Sequence, residues 1–394
     1  MSTDIAIIGA GVEGCSIAYA LASRGAGSIT VFERDGVGSG GTGRSAGIVR
    51  CHYGVPQVAS LALASLPVFR DSVDILGADA EFRPVGYVVG VGPENVEPFT
   101  ASVSAQQELG INTGLVDAAT IAELWPTAYL DDFAAFCYEP EGGYADGYAT
   151  AQAFATASRR LGVTIKQGAK VASVDVDGGR VRGVTLADGT SVEAGTVILA
   201  TGPWSRPLLA PLGIDVSVAP ICVQEVVIDP GQDLGDPPVF SDIVSKQYVH
   251  MRNGEMLFGN SAGEGAEMPI EDPDVFPTHA SNEAIEMVAE KAMHRFPGIE
   301  DPSVASTSTG VIDVTPDHNP IMSGTDYDGF YLATGFSGHG FKISPAVGQF
   351  MADLVTGADS SIPGVGLDDF ALSRFEQGRL LLSQFPYAGA TGIR

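Results

Sequence analysis

Gly9, Gly11 and Gly14 stand in the spacing G-x-G-x-x-G directly after the apolar run Ile5 to Ile8, and Glu33 follows 19 positions after Gly14. These residue types at this spacing hold a dinucleotide. The first glycine permits a tight turn, the second lets the backbone approach a pyrophosphate, and the third lets the next helix sit close to the strand. The helix N-terminus offers amide donors and positive potential to the phosphates. An acid about 20 residues on accepts from a ribose 2′-hydroxyl and disfavours a 2′-phosphate. Two cations, Arg50 and Lys342, lie in glycine-rich sequence, with His339 three positions before Lys342. A guanidinium holds a carboxylate in a two-point fork and an ammonium holds it as a point charge. A histidine beside them titrates near neutrality.

The elements that must position these groups are readable in outline. Val12 to Ser23 reads as a helix with Ile17, Ala18, Leu21 and Ala22 on one side, and Ile29 to Phe32 as a second strand ending at Glu33. In "GVGSGGTGRSAGIVRCHYG" six of the first twelve residues are glycine, so this is a loop, with Thr42, Arg44 and Ser45 as donors. Such a loop can wrap a large cofactor, which favours FAD over NAD. Helices are expected at Pro56–Leu76, Ala101–Gly110, Asp117–Leu124, Tyr148–Leu161 and Ser281–Arg295. Strands are expected at Phe82–Val91, Ile165–Asp175, Val181–Leu186 and Thr196–Leu199. Val216 to Phe258 reads as an antiparallel sheet, and Gly263 to Pro277, acidic and rich in proline, as a surface excursion. A strand at Phe330–Ala333, glycines at 335, 338 and 340, and a helix to about Val355 with Pro345 in its first turn repeat the opening grammar.

The bulk composition narrows the partners. The 394 residues exceed one ordinary core, and two packed domains are expected. Acidic residues number 48 against 21 basic, a formal net charge of −27. No basic stripe is available to displace counterions from nucleic acid, so that partner is excluded, and an anionic membrane surface is equally unfavourable. Cys15, Cys51, Cys137 and Cys222 are scattered with no Cys-x-x-Cys, so neither a zinc site nor a redox dithiol is indicated. A reduced, cytoplasmic protein is the expectation, with no export signal and no membrane-spanning segment. Asp317 and His318 resemble a metal pair only in isolation; "TPDHNP" reads as a turn, and no metal is expected.

The opening triplet, "GGTGRSAGIVRCHYG", "VILATGPWS", "GVIDVTPDHNPIMSG" and "GFSGHGFKISPAVG" together resemble the FAD-dependent D-amino acid oxidase superfamily, particularly its sarcosine oxidase-like amine oxidoreductases. The resemblance covers nearly the whole chain. It implies an α/β fold in which a discontinuous Rossmann-type FAD domain (1–85, 145–215 and 310–394) meets a substrate domain (86–144 and 216–309) on a mixed or antiparallel sheet. It implies hydride transfer from the carbon next to an amine nitrogen to flavin N5, giving an imine that hydrolyses. Electrons then pass to O2, a quinone or an electron-transfer protein.

Residue by residue, the resemblance assigns Arg50 and Lys342 to the substrate carboxylate or the flavin. Gly338, His339 and Gly340 fall beside the flavin ring, and Thr201, Gly202 and Trp204 in the central flavin loop. Arg34, Gly41 and Val171 complete the cofactor set. Tyr53 and Tyr248 are expected to line the substrate pocket, with plain packing as the alternative. His250 shares Tyr248's strand face, and His52 flanks Arg50. Three departures matter. Gly310 occupies the position of a cysteine that links flavin covalently in monomeric relatives, so non-covalent FAD is expected. Ile312 replaces an arginine that clamps the carboxylate in D-amino acid and glycine oxidases. Met256 aligns with a lysine tied to oxygen activation, which tilts the expectation toward a dehydrogenase. Oxidation of a 2-hydroxy acid or D-amino acid, a flavoprotein subunit needing a partner, and an NAD-dependent dehydrogenase are the competing readings.

Overall fold

The computed structural model describes residues 2–260 and 267–388. Two large sheets organise the chain. The first is wound around the opening strand. Ser2–Ile8 pairs in parallel with Ile29–Phe32 on one side and with Ser191–Leu199 on the other. Thr164–Lys166 extends the sheet beyond Ile29–Phe32, and Phe330–Thr334 lies beyond Ser191–Leu199, both parallel. Ile321–Gly324 closes that edge antiparallel. The central strands become apolar and buried toward their C-terminal ends, at Ile5–Ile8 and Val197–Leu199, where helices cover them. The helices Val12–Ser23, Gly147–Arg160, Pro56–Arg70 and Gly340–Thr356 pack in one layer against Ile5, Ile7, Val31 and Ile198.

The second sheet carries Ala219–Asp229, Glu255–Asn260, Gln247–Arg252, Val239–Asp242, Tyr87–Val91, Ala135–Glu139 and Gly114–Val116 in that spatial order. Ser303–Val314 pairs along the whole length of Ala219–Asp229. Every pair is antiparallel except Val239–Asp242 with Tyr87–Val91. Strand alternation divides its faces. Val226, Phe240, Val249, Met256 and Phe258 point to one side, where Asn282–Arg295 packs. Tyr87, Val89, Cys137 and Val239 point to the other.

The fold class matches the expectation: a discontinuous Rossmann-type α/β unit with a mixed-sheet companion. Several boundaries differ for local reasons. The Pro56–Leu76 segment is two helices, Pro56–Arg70 and Ser72–Leu76, because Asp71 leaves the helical region. The Ile165–Asp175 strand divides into Thr164–Lys166 and Val171–Asp177, on different parts of the sheet. Pro345 sits in the second turn of Gly340–Thr356, and Ser344 Oγ donates to the Phe341 carbonyl that a proline cannot reach, at 2.9 Å. The stretch 263–277 begins outside the described residues. Its later part is largely exposed, as expected, but also reaches the cofactor unit: Pro273, Asp274 and Phe276 line the cavity, with Asp274 bound to Arg34 and Trp204.

Candidate active site

A cavity of about 1120 Å³ runs between the two sheets. Its walls are built by the opening turn. Gly9 takes φ +101°, and a Cβ there would stand 2.4 Å from the Ala200 carbonyl oxygen, so no side chain is tolerated. Gly14 does not border the cavity; it lets its helix rest on the turn, since a Cβ would meet the Gly9 carbonyl at 2.0 Å. Glu33 braces the turn, accepting from the Ala10 amide at 2.8 Å and the Asp35 amide at 2.8 Å. Thr42 Oγ1 accepts from the Val12 amide at 3.0 Å and ties the glycine loop to the same helix end.

The other expected cofactor residues converge on this cavity. Gly11, Glu33, Arg34, Gly41, Thr42, Arg44, Ser45, Val171, Thr201, Gly202, Trp204, Gly338, His339, Gly340 and Lys342 all line it, with Gly9. Arg34 stacks over the Trp204 ring at 4.6 Å and pairs with Asp274 at 2.8 Å. The lining fits FAD. A glycine cradle that a Cβ would fill faces one end, and the amino termini of Val12–Ser23 and Gly340–Thr356 both open on the cavity. Bound there, the diphosphate would meet Gly9, Gly11 and Thr42, and the flavin ring would meet the Gly338–Lys342 segment.

At that second end the cations gather. Lys342 is buried, and no ion pair is made to its ammonium among the described residues. Burial and the charge of Arg50 push its pKa down to about 7. The Arg50 guanidinium lies 4.2 Å over the Tyr53 ring and 5.5 Å over the Tyr87 ring, and donates to the His52 carbonyl. His339 is held well below the usual histidine range by burial, Lys342 and Arg50, so it is a neutral imidazole. One permanent cation, Arg50, and an amine that an arriving anion would keep protonated, Lys342, stand beside a neutral ring and form an anion site with a wall of aromatic faces.

Of the remaining residues, Tyr248 and Gly310 line the cavity as expected, and others do not. Tyr53 does not border the cavity: it stands behind Arg50, with its hydroxyl on His339. Tyr248 lines the cavity, whereas His250, on the same strand face, bonds the Ala46 carbonyl at 2.9 Å and stacks on Tyr144. His52 is buried away from the cavity against Tyr387. Asp317 belongs to no metal pair; it is locked to Arg374 at 2.8 Å. Met256 points into the far core with Met251 and Phe258, so position 256 has no access to the cavity face whatever residue stands there. Gly310 does line the cavity, and no cysteine does.

Among the lining residues that sequence reasoning missed are Glu13, Asp313, Tyr87 and Glu225. Glu13 has both carboxylate oxygens buried without a partner, and burial and Asp313 raise its pKa well above the carboxylate range. Asp313, pushed up to about 6 by burial, accepts from the Gly335 amide and Thr334. Tyr87 and Glu225 come from the second sheet. The signal for Glu225 was available: an acid inside the apolar run "CVQEVVI" has to face something polar.

Comparison with known proteins agrees with this geometry. A family model described as "FAD dependent oxidoreductase" matches residues 4–354. The chain is 24% identical over 384 residues to sarcosine oxidase subunit beta of Rhodobacter capsulatus, covering 96% of this chain and 90% of that one. It is 26% identical over 381 residues to 4-methylaminobutanoate oxidase (formaldehyde-forming) of Paenarthrobacter nicotinovorans, covering 94% of this chain but only 45% of that longer protein. Among solved structures, L-proline dehydrogenase from P. horikoshii superposes with a TM-score of 0.87 at 26% identity, over 96% of this chain and 98% of that one. With the glycine cradle, the paired cations and a match along nearly its whole length, the chain belongs to the FAD dependent oxidoreductase family, DAO.

Proposed function

We propose that the protein oxidises a small secondary amine or amino acid of the sarcosine or N-methyl amino acid type, using FAD held without a covalent bond. The observation that carries this reading is Lys342: a buried ammonium with no ion pair among the described residues, on the cavity wall beside Arg50. In a chain short of cations, two at one end of a cofactor cavity call for an anionic ligand. A substrate carboxylate held by Arg50 and Lys342 is oriented with its amine carbon toward the ring site, which is catalysis by positioning. Bound FAD supplies the hydride acceptor. Neutral His339 adds no third charge to the site. The imine product leaves to hydrolyse.

The names of the similar proteins support an amine or amino-acid donor: sarcosine oxidase, 4-methylaminobutanoate oxidase and L-proline dehydrogenase. Ile312 on the cavity wall supplies no second guanidinium, which weighs against D-amino acids. The test is anaerobic loss of the visible flavin band against sarcosine, N-methyl amino acids, L- and D-proline, D-amino acids and 2-hydroxy acids. Bleaching by a secondary amine supports the reading. Bleaching only by 2-hydroxy acids overturns it. Readmitting air then separates O2 from a quinone or protein acceptor by the speed of recolouring.

A further inference from the structure

The floor of the cavity is one face of the second sheet. Glu225 pairs with Ser308 on one side and Gly259 on the other, and Gly259 pairs with Tyr248, so all four share that face. Glu225 is 8% exposed and lines the cavity. Its Oε1 accepts from Tyr248 Oη at 3.3 Å and its Oε2 from Ser308 Oγ at 3.1 Å. Tyr248 reaches it by lying across Gly259, where a Cβ would stand 2.1 Å from the ring. Any side chain at 259 would dislodge the tyrosine.

Both donors are neutral, and no lysine or arginine pairs with Glu225 among the described residues. Arg252, which acts on it through space, is bound to Asp146 at 2.7 Å. A buried carboxyl without a cation is destabilising unless something compensates it. Burial pushes its pKa up to about 7, so its charge is set by what it meets. Carboxylate binding by Arg50 and Lys342 makes no use of it. Arg50 lies over Tyr87, and four strand spacings of about 4.8 Å separate the strands of Tyr87 and Glu225, on the order of 19 Å along the sheet. One cavity thus has a cationic end and an acidic wall well apart.

We infer that Glu225, presented by Tyr248 and Ser308, binds an ammonium at the far end of the substrate, so that the preferred substrates are elongated amino acids with a second, terminal amine. The inference rests on the assignment of Arg50 and Lys342 to a carboxylate, and its test separates the two.

The FAD-loaded protein is titrated with ω-amino acids from 4-aminobutanoate to 8-aminooctanoate, and with the matching plain acids from butanoate to octanoate. Binding is read from perturbation of the visible flavin spectrum. At one chain length or more the amino acid binds about tenfold tighter than its plain partner, as expected for a charge-assisted hydrogen bond. Glu225→Gln reduces that ratio to about one. Equal affinities at every length overturn the inference, even if the variant does not fold. A preference that survives Glu225→Gln overturns the assignment to Glu225. No binding by any acid, plain or amino, overturns the carboxylate site itself and the inference with it.

Discussion

Tyr53 Oη lies 3.1 Å from His339 Nδ1, with the two rings edge to face at 5.3 Å. The same tyrosine carries the Arg50 guanidinium on its face. One residue outside the cavity thus sets two residues inside it. Tyr53→Phe keeps the ring under Arg50 and removes the hydroxyl from His339. The expected loss is about 1 kcal/mol in urea unfolding, with little change in KM for a carboxylate substrate. Tyr53→Ala also removes the platform, and its KM should rise well above that of Tyr53→Phe. Equal KM values would mean that the ring does not position Arg50.

Lys342→Met should raise KM for carboxylate-bearing substrates by on the order of tenfold to a hundredfold, and change simple amines far less. Equal losses would place Lys342's action on the flavin. A pH test is independent of turnover. The folded-state pKa is about 7 against an ordinary 10.5. Between these values the unfolded chain binds a proton that the folded chain does not, so stability rises with pH across that window. Lys342→Met lacks this contribution. The difference between wild type and variant urea midpoints should therefore shift in favour of wild type from about pH 7 to about pH 10.

Gly310 and the absence of cysteine from the cavity lining predict that FAD leaves with acid. Precipitation should put the yellow colour in the supernatant. Colour retained in the pellet would show a covalent link through another residue.

Asp317 and Arg374 are both fully buried and joined at 2.8 Å. Arg374→Met leaves the carboxylate uncompensated and should cost about 3–5 kcal/mol. Burial opposes the charge on Asp317, but the arginine outweighs it and holds the pKa below 3.8. That stabilisation is present above pH 3.8 and lost as pH falls below it. Acid titration of wild type should show this loss, and the variant should lack it.

What the sequence made legible is what neighbours in the chain determine. The turn at Gly9 and the helix after Gly340 depend on residues a few positions apart, and the brace at Glu33 on one strand–helix–strand unit, 23 positions from Ala10; each stands where its spacing predicts. Glu225 and Tyr248 are different. Their meeting depends on a strand pairing that sets Glu225 opposite Ser308, 83 residues away, and on the space above Gly259. Tyr53 reads locally as a pocket residue because Arg50 is near. Only the packing of the last helix against it shows that it stands behind the guanidinium. Asp317 reads as part of a turn, and nothing near it in the chain announces Arg374, 57 positions on, as its partner.

Ser16, in the first helix, donates to the carbonyl of Ser344, in the helix that begins at Gly340, across 328 residues at 2.7 Å. Gly348 presses on the same Ser16, where a Cβ would fall 2.3 Å from its hydroxyl. The first and last helices of the cradle close on each other, so contact order at this site is high. A nascent chain that has left the ribosome only as far as residue 300 carries the glycine turn but not the segment that faces it. The binding cradle is therefore completed only once the segment around Ser344 and Gly348 has emerged, and cofactor capture waits on its docking against the first helix.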